Sequence, residues 1–312
     1  MVVDREKDRI ADDHFFNLPR YLRSNDALVI NRTRVLPARL GIHKLPGGGR
    51  GELLLLERLS KREWRVMVGG KGLGVGRRLQ VNAGPEAEIV GDLGGPLRVV
   101  RFDAPIDSQL EELGTMPTPP YITVPLESKD EYQTVFARDP GSAAAPTAGL
   151  HFTPDLLDHI RSQNVEVVEV TLHIGLDTFA PVRVSDPRKH RIHTEWCQLH
   201  EESAQEINDA RQRGGRVVAV GTTTVRTLET AAQFAEPGAI VAPFEGPTDL
   251  FIMPGFQFQA VDVLITNFHL PRSTLLMLVS AFAGRERILA AYERAIARGY
   301  RFYSFGDAML IL

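Results

Sequence analysis

The sequence predicts a layered α/β/α domain with a largely parallel sheet, interrupted by a small inserted β-barrel domain. Two observations carry that prediction. From Thr153 onward, apolar strand-like runs alternate with amphipathic helical ones, a pattern that implies parallel strands covered by helices. Between Ala38 and Pro105 the texture changes, and 14 of the 27 glycines separate short β-rich runs. The simplest organisation places the first part of the α/β domain at 1–37, the barrel at 38–105 and the main part of the α/β domain at 106–312. No internal repeat or low-complexity tract interrupts this plan.

Taken in order, the opening MVVDREKDRIADDHFF carries charges where the apolar core of a signal peptide would lie. The runs GELLLLERL, EWRVMV, RLQV, AEIV and LRVVRF then supply barrel strands of four to nine residues. GKGLGVG, from Gly70 to Gly76, lies among them and precedes no apolar helix, so it reads as a loop rather than a nucleotide fingerprint. From Asp107 to Thr153 the chain is proline-rich and aperiodic, but Tyr121, Ile122, Tyr132, Val135 and Phe136 argue against disorder. The segment is expected to wrap a site. Thr153 is a good N-cap and Pro154 fits the first helical position, which predicts a helix from Pro154 to Gln163. The strand VEVVEVTLHIG, a helix from Glu201 to Arg213, the strand GRVVAVG, a helix after Thr222 and the strand VDVLITNF follow. TLLMLVSAFAG has eleven residues, short of the roughly 20 that span a bilayer, and reads as a buried helix.

A net charge of −3 excludes a dedicated nonspecific nucleic-acid binder, so an RNA or DNA partner would be held by a local patch. The single cysteine, Cys197, rules out an internal disulfide and a thiolate zinc cluster; this fits the cytoplasm, the expected location, with no membrane partner. His190, His193 and His200 in KHRIHTEWCQLH do not have HExxH spacing and lack completing ligands, so no metal is expected.

Open α/β sheets bind ligands beyond the carboxyl ends of their strands. Those ends carry His173, Gly175, Asp177 and Thr178 in one case, Gly221 with three threonines, Arg226 and Glu229 in a second, and Asn267, His269 and Arg272 in a third. In GTTT, glycine permits a sharp strand-to-helix turn, and hydroxyls with first-turn N–H groups offer donors to a carboxylate, phosphate or ribose. Ordinary N-capping by one threonine explains the same residues. Likewise, Thr147, Ala148 and Gly149 in PTAGLHFT either permit a tight chain crossing or let backbone approach a bound nucleoside. The residues alone leave open a nucleoside-handling α/β enzyme, such as a methyltransferase or glycosylase, and a noncatalytic RNA-binding module.

PTAGLHFT, HIGLDTFAPV, HTEW, VGTTTVRTLE, TDLFIMPGF and LITNFHLPRSTLLMLVSAFAG occur in this order, with NRTRVLPARL before the barrel runs and GYRFYSFGDAML at the C-terminus. Together they resemble the S-adenosylmethionine:tRNA ribosyltransferase-isomerases of queuosine biosynthesis across nearly the whole chain. The resemblance implies the same fold, an α/β domain with an inserted barrel, and about thirty further residues ahead of MVVDREKD. It implies a monomeric transferase-isomerase that moves the ribosyl part of S-adenosylmethionine, a co-substrate rather than a prosthetic group. The acceptor would be the aminomethyl group of 7-aminomethyl-7-deazaguanine at the tRNA wobble position. Epoxyqueuosine-tRNA, adenine and methionine would be the products. The alternative is a protein that binds S-adenosylmethionine or a nucleoside, together with RNA, without turnover.

Such chemistry needs a base, a proton donor for departing adenine, a carboxylate clamp and a pocket for the modified base. The expected proton-transfer groups are His173, Glu195 and His269. Thr222, Thr223 and Arg226 are expected to hold anions beside Gly221, and Asn267 to read a base edge. Thr147, Gly149, His151 and Phe152 are expected to approach the co-substrate, the last two with an edge and a face. Arg32, Arg34, Arg39, Arg188, Lys189 and Arg191 are the expected tRNA phosphate contacts.

Overall fold

Strand alternation in the second half of the chain produces a nine-stranded mixed sheet in the computed structural model. The structure describes residues 1–175, 184, 186–190, 192 and 194–312; Asp177, Thr178, Arg191 and His193 therefore lie outside the described residues. The sheet centre is parallel, in the order Glu166–Leu172, Ala27–Asn31, Val217–Val220 and Val263–Asn267. Its flanks depart from the parallel pattern: Ala308–Ile311 runs antiparallel to Val263–Asn267, and Glu195–Leu199 runs antiparallel to Glu166–Leu172. Phe244–Thr248 closes one edge, while Val2–Asp4 and Arg9–Ala11 close the other.

Side-chain alternation along each central strand feeds two cores. Ala27 and Val29 join one core with residues from helices Glu201–Gln212, Thr222–Ala232, Thr274–Ala283 and Arg285–Ala297. Leu28 and Ile30 join the other, with Leu18 from the 3-10 helix Phe15–Tyr21 and Leu157 and Ile160 from helix Pro154–Ser162. Helices thus cover both faces, as the alternating pattern predicts. Local signals set their starts: Thr153 Oγ1 accepts from Leu156 N at 3.2 Å with Pro154 at the first position, and Ser273 Oγ accepts from Leu276 N at 3.1 Å. The TLLMLVSAFA run is helix Thr274–Ala283, with Leu278, Val279 and Phe282 buried. Among the described residues, no helix is long and apolar enough to cross a membrane.

The second compact unit is Val35–Gln133 with Pro140–Ala144, so residues 106–133 fall with the barrel rather than with the α/β unit. Six antiparallel strands close on themselves: Arg39–Leu45, Arg50–Arg58, Glu63–Gly69, Leu97–Phe102, Glu86–Asp92 and Arg78–Val81, the last pairing back to the first. Leu40, Ile42, Leu53, Leu55, Val66, Leu79, Val81, Ile89 and Val100 fill the interior. The strand Arg39–Leu45 shows no apolar run, since Gly41 separates its buried Leu40 and Ile42, and His43 and Lys44 follow. GKGLGVG is the loop between Glu63–Gly69 and Arg78–Val81.

Candidate active site

The carboxyl ends of the parallel strands gather the polar groups singled out in the sequence. Asn31 ends its strand with its side-chain amide buried. Its Oδ1 accepts from Thr33 N and Leu172 N, both at 3.1 Å, and its Nδ2 donates to Leu172 O and Thr223 Oγ1, also at 3.1 Å. All four capacities of the amide are used, which locks two adjacent strand ends to the first turn of helix Thr222–Ala232. Thr33 follows on the same chain, and its Oγ1 lies 2.8 Å from His173 Nδ1. The His173 ring stacks on Trp196 at 5.2 Å, and the backbone N–H of His173 donates to Trp196 O at 3.0 Å. Burial lowers the His173 pKa against the raising influence of Asp139, so the ring is neutral at pH 7. Nε2 is left without a hydrogen-bond partner among the described residues.

The GTTT turn divides its hydroxyls. Gly221 takes φ +89°, and a Cβ there would stand 3.6 Å from the Ala148 side chain, so the turn packs against the 3-10 helix Thr147–His151. Thr223 is tied to Asn31, while Thr224 and Thr227 bond back to the carbonyls of Val220 and Thr223 at 2.7 and 3.1 Å. No side chain caps this helix, and the hydroxyl of Thr222, beside the uncapped first turn, has no partner among the described residues. That combination offers donors to an anion.

A third group lies on the opposite face of the sheet. Thr147 Oγ1 donates to Asn267 Oδ1 at 3.0 Å, and Asn267 Nδ2 lies 3.2 Å from His151 Nε2. His151 stacks on Phe15 at 5.0 Å, and burial lowers its pKa. His151 also lines a cleft of about 500 Å³ with Phe15, Tyr21, Ile265 and Asp307.

Several expected site residues are placed otherwise. Glu195 and Arg226 form a buried ion pair: Glu195 Oε1 also accepts from Gly175 N at 2.8 Å, and Arg226 also donates to Leu250 O and Thr248 O at 3.1 and 3.2 Å. Each charge is met by the other and by these backbone groups, and both residues line a small pocket with His190, Ile192 and Leu250. Gly149 and Phe152 are core residues. A Cβ on Gly149 would come within 2.7 Å of Phe136, and Phe152 packs edge-on against Phe15 and Phe136 instead of presenting a face. His269 lies on the side of helix Arg285–Ala297, with Nε2 2.8 Å from Thr266 Oγ1 and its backbone N–H donating to Tyr292 Oη at 2.7 Å. Burial pushes its pKa down to about 4. Period-two alternation sets Thr266 with the buried Leu264 and Phe268, away from Asn267.

Of the described basic residues expected to meet phosphate, Arg32 is held by Asp139 and Glu169 at 2.8 and 3.1 Å, Arg39 by Glu52 at 2.7 Å and Arg188 by Asp186 at 3.0 Å. Arg34 and Lys189 have no ion pair among the described residues, and Arg191 lies outside them. Sequence reasoning missed Asn31, Thr33 and Phe15. The first two carried a signal, because a polar residue closing the apolar run ALVI marks a strand's carboxyl end.

The fold is that of a mixed α/β protein with an inserted β-barrel, its polar side chains gathered at the carboxyl edge of the parallel strands. The family model described as queuosine biosynthesis protein matches residues 1–311, and the chain belongs to that family. It is 52% identical to the S-adenosylmethionine:tRNA ribosyltransferase-isomerase of Symbiobacterium thermophilum and 50% identical to that of Caldanaerobacter subterraneus, covering all of this chain and 92% of each relative. The crystal structure of an S-adenosylmethionine tRNA ribosyltransferase from Thermotoga maritima matches with 38% identity and a TM-score of 0.56, covering 100% of this chain and 91% of that one.

Proposed function

We propose that this protein is a tRNA-modifying transferase-isomerase: it transfers and rearranges the ribosyl unit of S-adenosylmethionine onto 7-aminomethyl-7-deazaguanine at the wobble position and releases adenine and methionine. Full-length similarity, at 50–52% identity, to relatives named for S-adenosylmethionine:tRNA ribosyltransferase-isomerase activity carries this reading. The strand-end chemistry supports it. The positive sulfonium acidifies the C5′ hydrogens of S-adenosylmethionine, and a neutral imidazole is suited to remove one of them.

His173 is the proposed base. For that role Nδ1–H donates to Thr33 Oγ1, leaving the Nε2 lone pair available, and stacking on Trp196 fixes the ring plane. Thr222 and the uncapped helix N-terminus would receive the methionine carboxylate or a phosphate. Thr147, Asn267 and His151, already hydrogen-bonded in series, would meet a base edge. Glu195 and Arg226 position Gly175 and the backbone carbonyls of Thr248 and Leu250.

The test supplies S-adenosylmethionine and tRNA carrying the aminomethyl deazaguanine to purified protein. Adenine and methionine should appear together, only with the modified tRNA, and digested nucleosides should contain the epoxyqueuosine mass. S-adenosylhomocysteine as the product would instead mean methyl transfer, and tRNA retention without consumption would mean a binding module.

A further inference from the structure

The barrel carries a feature the proposed chemistry does not use. The chain enters it beside Ala38 and leaves beyond Phe102 at one end; the other end is built from three loops, 46–49, 70–77 and 93–96. Nine glycines and no acidic residue occur in these loops. Gly47, Gly48, Gly70, Gly72, Gly76, Gly94 and Gly95 have positive φ, a conformation open to glycine at little cost. None of the backbone N–H groups of 70–75 donates to an acceptor among the described residues. Successive unpaired N–H groups at a glycine-rich turn form a concavity suited to anions.

The loops are held in place rather than loose. Arg98 donates to Leu73 O at 3.0 Å, Gly95 O at 2.9 Å and Asp92 at 2.8 Å, tying the 70–77 loop to the 93–96 loop. Leu73 is buried, and Lys44 Nζ donates to Lys71 O at 2.9 Å. Around this frame Arg50, Lys71 and Arg77 have no carboxylate partner among the described residues, and Arg50 and Lys71 are exposed. This contrasts with Arg32, Arg39 and Arg188, each of which is paired with a carboxylate.

We propose that this glycine-rich, basic end of the barrel is an RNA-backbone contact, binding tRNA phosphates through Arg50, Lys71, Arg77 and the N–H groups of 70–75. The inference rests on tRNA being the substrate. Glycine loops allow a phosphate to approach the backbone closely, the cations supply affinity without base readout, and the Arg98 tether limits the ordering cost of binding.

The experiment compares tRNA binding and turnover of the full chain with those of the triple variant Arg50→Ala, Lys71→Ala, Arg77→Ala across a salt series. Losing three phosphate contacts should weaken binding about tenfold or more near 0.15 M salt and lower the slope of log K against log salt by about two. KM for tRNA should rise while kcat at saturation holds, and Arg50→Lys with Arg77→Lys should restore binding, since a point charge serves a phosphate. Wild-type protein that binds and modifies tRNA, beside a triple variant with the same affinity and slope, would overturn the barrel contact alone. Wild-type protein with no affinity for tRNA would overturn both this contact and the tRNA substrate.

Discussion

The two ends of the central sheet strands are built from different chemistry. At the amino end, charge is paired and wholly or partly buried. Asp26 is fully buried, accepting from Arg23 N at 2.8 Å and from Arg216 N and Nη2 at 2.8 and 2.7 Å; Asp262 accepts from Val217 N and Arg211 at 2.7 and 2.6 Å. At the carboxyl end stand two imidazoles with lowered pKa values and, beside an uncapped helix, a threonine hydroxyl with no partner among the described residues. The amino end spends its polar groups on holding strands together, and the carboxyl end holds some in reserve. Glu195 with Arg226 and Arg32 with Asp139 depart from this contrast, amino-end style pairs standing at the carboxyl edge.

The largest effect expected from breaking this contrast is at His173. His173→Ala should lower kcat by about 10²- to 10⁴-fold, the usual worth of a general base, with a melting temperature near wild type. A fully active, stable variant would remove His173 from the mechanism. Asp26→Ala should do the reverse. It strands Arg216 and costs about 3–5 kcal/mol in a denaturant titration, while activity per folded molecule is retained. Arg226→Met asks which end Glu195 resembles: an unfolding free energy lowered by a similar amount, about 3–5 kcal/mol in a denaturant titration, assigns the pair to structure. Gly149→Ala, crowding Phe136 and the Thr134 methyl, should cost about 1–3 kcal/mol, read as a melting shift.

The pH dependence is the smallest and finest probe. His151, His173 and His269 all have folded pKa values below their unfolded value of about 6.5, the last about 4. The unfolded chain therefore binds more protons below pH 6.5. Stability is complete above that pH and falls as the pH drops from 6.5 through the lowered values. His269→Gln should flatten the acid side of a melting-temperature profile. With His173 as the proposed base, the acid limb of kcat/KM should lie below pH 6.5, and a limb above it would contradict a neutral, desolvated ring.

Much of this was legible in the sequence because it depends on local rules. Thr153-Pro154 fixes a helix start through its own cap, glycine punctuation marks the barrel strands, and an uninterrupted ALVI or VVAV run signals a strand buried on both faces. The motifs also pointed to polar residues at the strand ends, several of which the structure gathers at the carboxyl edge of the sheet. What the sequence by itself could not determine was which polar residues are satisfied by one another. Glu195 and Arg226 are 31 residues apart, Asn31 and Thr223 are 192 apart, and Arg32 and Asp139 are 107 apart. Pairing across such separations follows from strand order and side-chain facing, which only the tertiary structure decides. A polar group's chemistry depends on whether its partner is protein or ligand, so residue type set the candidates and the fold chose among them.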